Sequence, residues 1–221
     1  MIGKWNRRRY VVERLIGEGA NGRVYLVRGG RGIFAMKVAI GSLDLQAEVN
    51  ALLALQSDGG MDPYLLDADD ALVEGSDPVS FYIMKYIQGT NIMDYLARSG
   101  PDWFELTARR LLERLRDLHA KGFIFGDLKR DNIIVSGHGR VDLVDYGGVT
   151  RKGMAVRQFT ELYDRGYWNA GGRKADEAYD LFAFAVVCIQ CSDPLKELDF
   201  TRGVLPQNRS PAYLKEILSR C

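Results

Sequence analysis

The apolar positions of this chain change their period once, near residue 88. Before that point they fall in short, β-branched runs. Residues 9–16, 24–28 and 33–40 read as three strands, divided by a glycine-rich stretch at 17–22 and by Gly29, Gly30 and Gly32. Residues 43–55 carry Leu45, Val49, Leu52 and Leu53 at helical spacing and predict a short helix. Two more strands are expected at 64–73 and 79–87, separated by Gly75-Ser76-Asp77-Pro78. After Gln88-Gly89 helical spacing takes over. Residues 91–98 predict a short helix stopped by Gly100-Pro101, and 103–121 a long amphipathic one with Gly122 as its C-terminal cap. Residues 123–145 read as short strands and loops. Residues 147–174 show little periodicity, and such length without regular structure is usually functional or mobile. An apolar helix over 175–190 and a small one over 211–219 complete the pattern. A β-rich half, 1–88, joined to an α-rich half, 89–221, is an α+β bilobal layout. The cleft between the halves is the natural ligand site.

Composition narrows this little. The 221 residues are 47% hydrophobic, enough to bury a core. With 30 basic and 29 acidic residues, the net charge of +1 gives no global bias toward nucleic acid, membrane surfaces or acidic substrates. Any such preference must be local. Two basic clusters exist, Lys4 with Arg7, Arg8 and Arg9, and Arg109 with Arg110, Arg114 and Arg116. They read as solvated faces, the second interleaved with Glu113 and Asp117; contact with DNA is the other reading. Three cysteines, an odd number, suit a reducing cytoplasm better than a disulfide scaffold. Cys188 and Cys191 match C-x-x-C but sit in an apolar helix with no second pair, so they read as structural. His119, near a helix end, reads as a cap or surface group. The N-terminus lacks an apolar signal core, and the longest apolar run, 181–189, has nine residues against the roughly 20 that span a bilayer. No membrane contact by this segment itself is expected.

Candidate chemistry lies at four places. Gly17-Glu18-Gly19-Ala20-Asn21-Gly22-Arg23-Val24 fits G-x-G-x-x-G-x-V, and glycines alone would be a weak signal. A dinucleotide fold needs those glycines to open a helix, whereas Val24-Tyr25-Leu26-Val27 continues as a strand. The glycines therefore form a strand–turn–strand flap able to lay backbone N–H groups on phosphates. Lys37, flanked by Met36 and Val38 within a strand, is costly unless paired. It is either an edge lysine reaching for water or a phosphate-binding lysine with a helix glutamate, and Glu48 is the only glutamate in the next helix. Asp127-Leu128-Lys129-Arg130-Asp131-Asn132 reads D-x-K-x-x-N and precedes the strand Ile133-Ile134-Val135. Asp145-Tyr146-Gly147 follows thirteen residues after Asn132, behind apolar Leu143-Val144.

With these motifs in this order, nearly the whole chain resembles the eukaryotic-like protein kinase family. The resemblance implies transfer of the γ-phosphate of Mg-ATP to protein serine or threonine, with autophosphorylation. Asp127 would orient the acceptor hydroxyl and accept its proton. Lys129, typical of serine/threonine kinases, would steady the transferring phosphoryl. Asn132 and Asp145 would bind Mg²⁺, with Mn²⁺ as a substitute, and Lys37 with Glu48 would hold the nucleotide. Gly17, Gly19 and Gly22 would cover the phosphates. Ile16, Val24, Ala35 and Ile134 would sandwich adenine, with Met84 as gatekeeper and the backbone of Lys85 and Ile87 as its hydrogen-bond partners. Asn91 or Asp94 would reach the ribose. Kinase-like small-molecule phosphotransferases and nucleotide-binding pseudokinases remain the alternatives; Lys129 speaks against the first, and the complete set of Lys37, Asp127, Asn132 and Asp145 against the second.

Departures from the family pattern bear on control. Gly126 replaces the arginine that usually precedes the catalytic aspartate and receives an activation-loop phosphate. Tyr146 stands for the usual phenylalanine, and no Ala-Pro-Glu is present, so its salt bridge is absent or rebuilt. Asp180 resembles the aspartate that steadies the catalytic loop. Thr150 and Thr160 are candidate autophosphorylation sites, Thr160 otherwise a partner of Asp127. Phe125-Gly126-Asp127-Leu128-Lys129 together with Tyr163-Asp164-Arg165-Gly166-Tyr167-Trp168 is similar to the small sporulation-associated kinases of spore-forming bacteria. Such kinases imply a minimal α-rich lobe, a C-terminal membrane anchor beyond this segment and, in bacterial relatives, homodimers.

Overall fold

Alternation of side chains across five antiparallel strands builds the first of two units, Met1–Tyr86 and Ile87–Cys221. The computed structural model describes residues 1–19, 22–30, 32–39, 42–57, 64–71 and 78–192. The strands are β1 (Tyr10–Gly19), β2 (Gly22–Gly29), β3 (Gly32–Val38), β4 (Leu65–Ala71) and β5 (Val79–Lys85), in the order β1-β2-β3-β5-β4. Because strand side chains alternate, each register pair shares a face. Tyr10, Val27, Met36, Ala71, Phe81 and Ile83 form one buried cluster. The opposite face carries Val24 opposite Lys37, Leu26 opposite Ala35, Lys37 opposite Tyr82 and Ala35 opposite Met84. Helix α1 (Ser42–Ser57) meets this second face through Glu48 and buries Leu45, Leu52 and Leu55.

The basic N-terminus is bound to this sheet. Bridges join Ile2 to Arg9 and Gly3 to Ala71, and the carboxylate of Asp69 accepts from the backbone N–H groups of Trp5 and Asn6. Burial would raise the Asp69 carboxyl, but the N–H groups of Asn6, Trp5 and Asp70 together hold it below its ordinary value.

The second unit opens with β6 (Thr90–Asn91) and α2 (Ile92–Ser99), where the Asn91 side chain caps the Asp94 N–H at 2.9 Å. Helix α3 (Trp103–Ala120) buries the stripe Thr107, Ala108, Leu111, Leu115 and Leu118, and Gly122 follows its end at φ +76°. Strand β7 (Phe123–Ile124) pairs with β10 (Thr150–Arg151), and β8 (Ile133–Ser136) pairs with both β6 and β9 (Arg140–Leu143). Helix α4 (Glu177–Ser192) is apolar on all sides, and residues 182–189 are buried.

The segment expected to be irregular is tied down at several points. Gly153 N–H donates to Ala175 O, Val156 N–H to Arg173 O and Ala175 N–H to Met154 O. Val156, Ala175 and Tyr179 join Ile124 in one apolar cluster. Periodicity missed this because the partners are single residues at turns rather than strands. The expected helix at 211–219, and Ala20 and Asn21 of the glycine flap, lie outside the described residues.

Candidate active site

The predicted residues fall into two sets, one in each unit. In the first, β1 and β2 stay paired to their glycine ends, with Gly17 opposite Val24 and Gly19 opposite Gly22. Gly22 is at φ +138°, and a Cβ there would lie 2.3 Å from the Val38 carbonyl, so the flap demands glycine at this point. Val24, Ala35, Lys37 and Met84 share the α1-facing side of the sheet, by register. Ile16 lies half-buried near the end of β1. The Lys85 N–H donates to Tyr64 O at 2.9 Å.

Lys37 is paired rather than snorkelling. Its Nζ lies 2.8 Å from Glu48 Oε2 and 3.1 Å from Oε1, and the two residues are 4% and 5% exposed. Buried charges are tolerated in such company, and loss of one partner would strand the other. Sequence reasoning missed Tyr82, whose hydroxyl donates to Glu48 Oε1 at 2.8 Å. Its signal was positional: it stands two residues before Met84, on the same face, opposite Lys37.

In the second unit the loop after β7 is hung from α4. Asp180, fully buried, accepts from the N–H groups of Phe125 at 2.7 Å and Gly126 at 2.9 Å, as its resemblance suggested. His119 Nε2 lies 2.8 Å from the same carboxylate, so His119 is part of the loop's support, not the cap or surface group that its helix-end position predicts. The loop then presents Asp127. Its Oδ2 accepts from Lys129 Nζ at 2.7 Å and from Asn132 Nδ2 at 3.3 Å, and its Oδ1 from the Thr160 hydroxyl at 2.8 Å.

Asn132 and Asp145 are brought together by the β8–β9 hairpin. Ile133 pairs with Leu143, and the Val144 N–H donates to Asn132 O, so Asn132 before β8 stands beside Asp145 after β9. The Asn132 Nδ2 also donates to Asp127 O at 2.9 Å, which turns the amide oxygen the other way. Asp145 is in the left-handed region at φ 60°, its Oδ1 near the Gly147 N–H at 3.4 Å. A non-glycine residue held there marks a constrained position. The side chains thus offer two hard oxygen groups, of the type that suits Mg²⁺. Behind them the Phe125 and Tyr146 rings meet edge-on at 5.7 Å, and burial pushes the Tyr146 hydroxyl up to about 12.

Asp94 is exposed on α2, while Asn91 is occupied in capping that helix. Ile134 is half-buried on β8. Thr150 leaves the accessible candidates for modification, because its hydroxyl is buried and donates to Gly148 O. In the second basic cluster, Arg109 pairs with Glu113, Arg116 with Asp117 and Arg114 with Asp142, which offsets much of the local charge. Cys188 and Cys191 are free thiols; burial pushes Cys191 up to about 12 and Cys188 well above its ordinary value, so both stay protonated.

The segment that lacks Ala-Pro-Glu carries local ion pairs of its own. Asp164, its side chain fully buried, is 2.6 Å from Arg173 Nε and accepts from the Tyr179 hydroxyl and the Gly166 and Tyr167 N–H groups. Beside it Arg165 Nη2 meets Asp176 Oδ2 at 2.8 Å.

Residues 10–195 match the protein kinase domain family. The chain is 44% identical over 212 residues to the serine/threonine-protein kinase YabT of Bacillus subtilis, covering 94% of this chain and 62% of that protein's length. It is 30% identical over 162 residues to the eye isozyme of protein kinase C of Drosophila melanogaster, covering 68% of this chain and 22% of the relative. To the serine/threonine-protein kinase CLA4 of Candida albicans it is 25% identical, over 96% of this chain and 24% of the relative. A family match spanning most of the chain, on a five-stranded antiparallel sheet followed by a largely helical unit, shows that the chain belongs to the protein kinase domain family.

Proposed function

We propose that this chain is an ATP-dependent kinase that phosphorylates serine or threonine hydroxyls of protein substrates, itself included. The observation that carries the reading is the setting of Asp127, whose carboxylate already accepts a threonine hydroxyl, from Thr160 at 2.8 Å, beside the Lys129 ammonium at 2.7 Å. An acceptor hydroxyl in that place would donate to Asp127 and lose its proton there as the phosphoryl group arrives. Lys129 would offset charge on the transferring group. In the first unit, which we read as the N-lobe, Lys37 would bind phosphate oxygens while Glu48 holds its ammonium in place. Ile16, Val24, Ala35 and, from the second unit or C-lobe, Ile134 would enclose adenine, beside Met84 and the backbone of Lys85 and Ile87. Asp94 would reach the ribose. Asn132 and Asp145 would hold Mg²⁺ or Mn²⁺, which when bound would supply positive charge near the phosphates. Phosphoryl transfer demands mainly positioning and charge neutralisation, and these groups supply both.

Gly126-Asp127 also suits small-molecule phosphotransferases; Lys129 and the anchored 147–176 segment favour protein substrates. The motif resemblance to sporulation-associated kinases and the identity with the Bacillus protein support a bacterial setting. The test is purified chain with labelled Mg-ATP and a generic basic protein, beside Asp127→Asn. Transfer by the wild type, with a loss of about 10²–10⁴-fold in the variant, is the expected result. A wild type that labels neither itself nor the substrate overturns the reading. DNA added to the same assay reads the remaining part, contact through Lys4, Arg7, Arg8 and Arg9; unchanged labelling and no gel shift remove it. A sedimentation profile of the same sample decides between monomer and homodimer.

A further inference from the structure

Lys37 and Tyr82 are direct cross-strand partners on β3 and β5, so their side chains leave the same face of the sheet side by side. Both end on one carboxylate. Glu48 Oε2 and Oε1 receive Lys37 at 2.8 and 3.1 Å, and Oε1 also receives the Tyr82 hydroxyl at 2.8 Å. All three residues are nearly dry, Tyr82 completely so. A hydroxyl buried at this depth costs free energy unless it finds an acceptor, and a bond to a charged acceptor is among the stronger ones.

We infer that Tyr82 is a positioning residue for phosphoryl transfer: a neutral second donor that keeps Glu48, and with it α1, seated on the sheet while the Lys37 ammonium is shared with phosphate. The inference rests on the proposed kinase activity and on the role of Lys37 within it. Its logic is one of division. An ammonium that serves both a carboxylate and a phosphate loosens its grip on each. Lys37 holds Glu48 less firmly once phosphate shares its ammonium. The Tyr82 hydroxyl is held by a strand, carries no charge and does not compete for phosphate, so it fixes Glu48 throughout. Apolar contacts of Leu45, Leu52 and Leu55 bury α1 but are non-directional and do not set the position of the carboxylate.

The experiment compares wild type, Tyr82→Phe, Glu48→Gln and the double variant. Phenylalanine keeps the ring and its packing, so the fold should persist. Tyr82→Phe is expected to lower kcat/KM for ATP about tenfold, in keeping with one hydrogen bond to a charged group, with KM for the protein substrate unchanged. In the Glu48→Gln background the same change should add less than twofold, because the bond's acceptor charge is gone. Wild-type kinetics in Tyr82→Phe, or a full tenfold loss that persists beside Glu48→Gln, overturns the inference. A second measurement needs no turnover: the rate at which an amine-acylating reagent modifies Lys37 in nucleotide-free protein, read by mass spectrometry. It should rise severalfold in Tyr82→Phe, since Glu48 then spends time away from Lys37. If the wild type transfers no phosphate, the kinase reading fails, and this rate alone decides the role of Tyr82: a rise supports it and an unchanged rate overturns it.

Discussion

Gly126 occupies a backbone position that a side chain cannot share. Its φ is +74°, and a Cβ would sit 2.6 Å from the Gly148 carbonyl. The residue that precedes Asp127 therefore lets two backbone segments touch, where an arginine would need space for a long side chain. Gly126→Ala is expected to destabilise the fold by about 1–3 kcal/mol through strain and overpacking. Chemical denaturation reads this, and a midpoint equal to wild type would refute it. The two candidate threonines also separate at this scale. Thr160 is half-exposed and bonded to Asp127, whereas Thr150 is buried on β10. Phosphopeptide mapping after incubation with Mg-ATP should therefore find no phosphate on Thr150. Lys37, Glu48, Asp127, Asn132 and Asp145 were singled out from their order in the family pattern, and the structure pairs Lys37 with Glu48 and Asn132 with Asp127. Tyr82 and His119 were not, because their partners, Glu48 and Asp180, lie 34 and 61 residues away.

At the scale of elements, the segment between Asp145 and α4 is the one that patterning described least well. Its order comes from ion pairs whose members stand alone between turns. Asp164 accepts from Arg173, Tyr179 and two backbone N–H groups. Arg173→Ala removes one donor from this buried carboxylate and should cost about 1–3 kcal/mol. Limited proteolysis checks it: cleavage within 157–174 should quicken, and an unchanged pattern would count against the pair as an anchor. Asp176 gives the segment a pH dependence. It meets Arg165 and also caps α4 by accepting the Tyr179 N–H at 3.0 Å. Burial would raise its carboxyl, but Arg165, the Tyr179 N–H and Lys174 together hold it below its ordinary 3.8. A carboxyl lowered on folding adds stability above its unfolded value and loses that stability as pH falls through the folded one. The Tm difference between wild type and Asp176→Asn should thus be full at pH 7 and shrink below about pH 4. A difference that stays constant to pH 2 would show that Asp176 acts without its charge.

For the molecule as a whole, these anchors bear on how activity is controlled. The described segment is bound to β7, to α4 and to Asp127 by its own side chains and backbone, and Gly126 supplies no arginine to receive a phosphate. Phosphatase treatment before assay is therefore expected to leave the initial transfer rate within twofold of the untreated chain. A tenfold fall would establish a phosphate-dependent step. The sequence by itself determined the strand and helix faces, since burial follows a period of about two or 3.6 residues and each period is written locally. It also carried the motifs behind the resemblance to the kinase family, because the glycine loop, Lys37, Asp127, Asn132 and Asp145 stand in that family's order. Tertiary structure alone decided which distant groups meet: Tyr82 with Glu48, His119 with Asp180, Asp164 with Arg173, and the carbonyl of Gly148 against Gly126. Those meetings depend on strand register and on how a helix seats against its neighbours. Neither quantity repeats along the chain, so no local pattern encodes it.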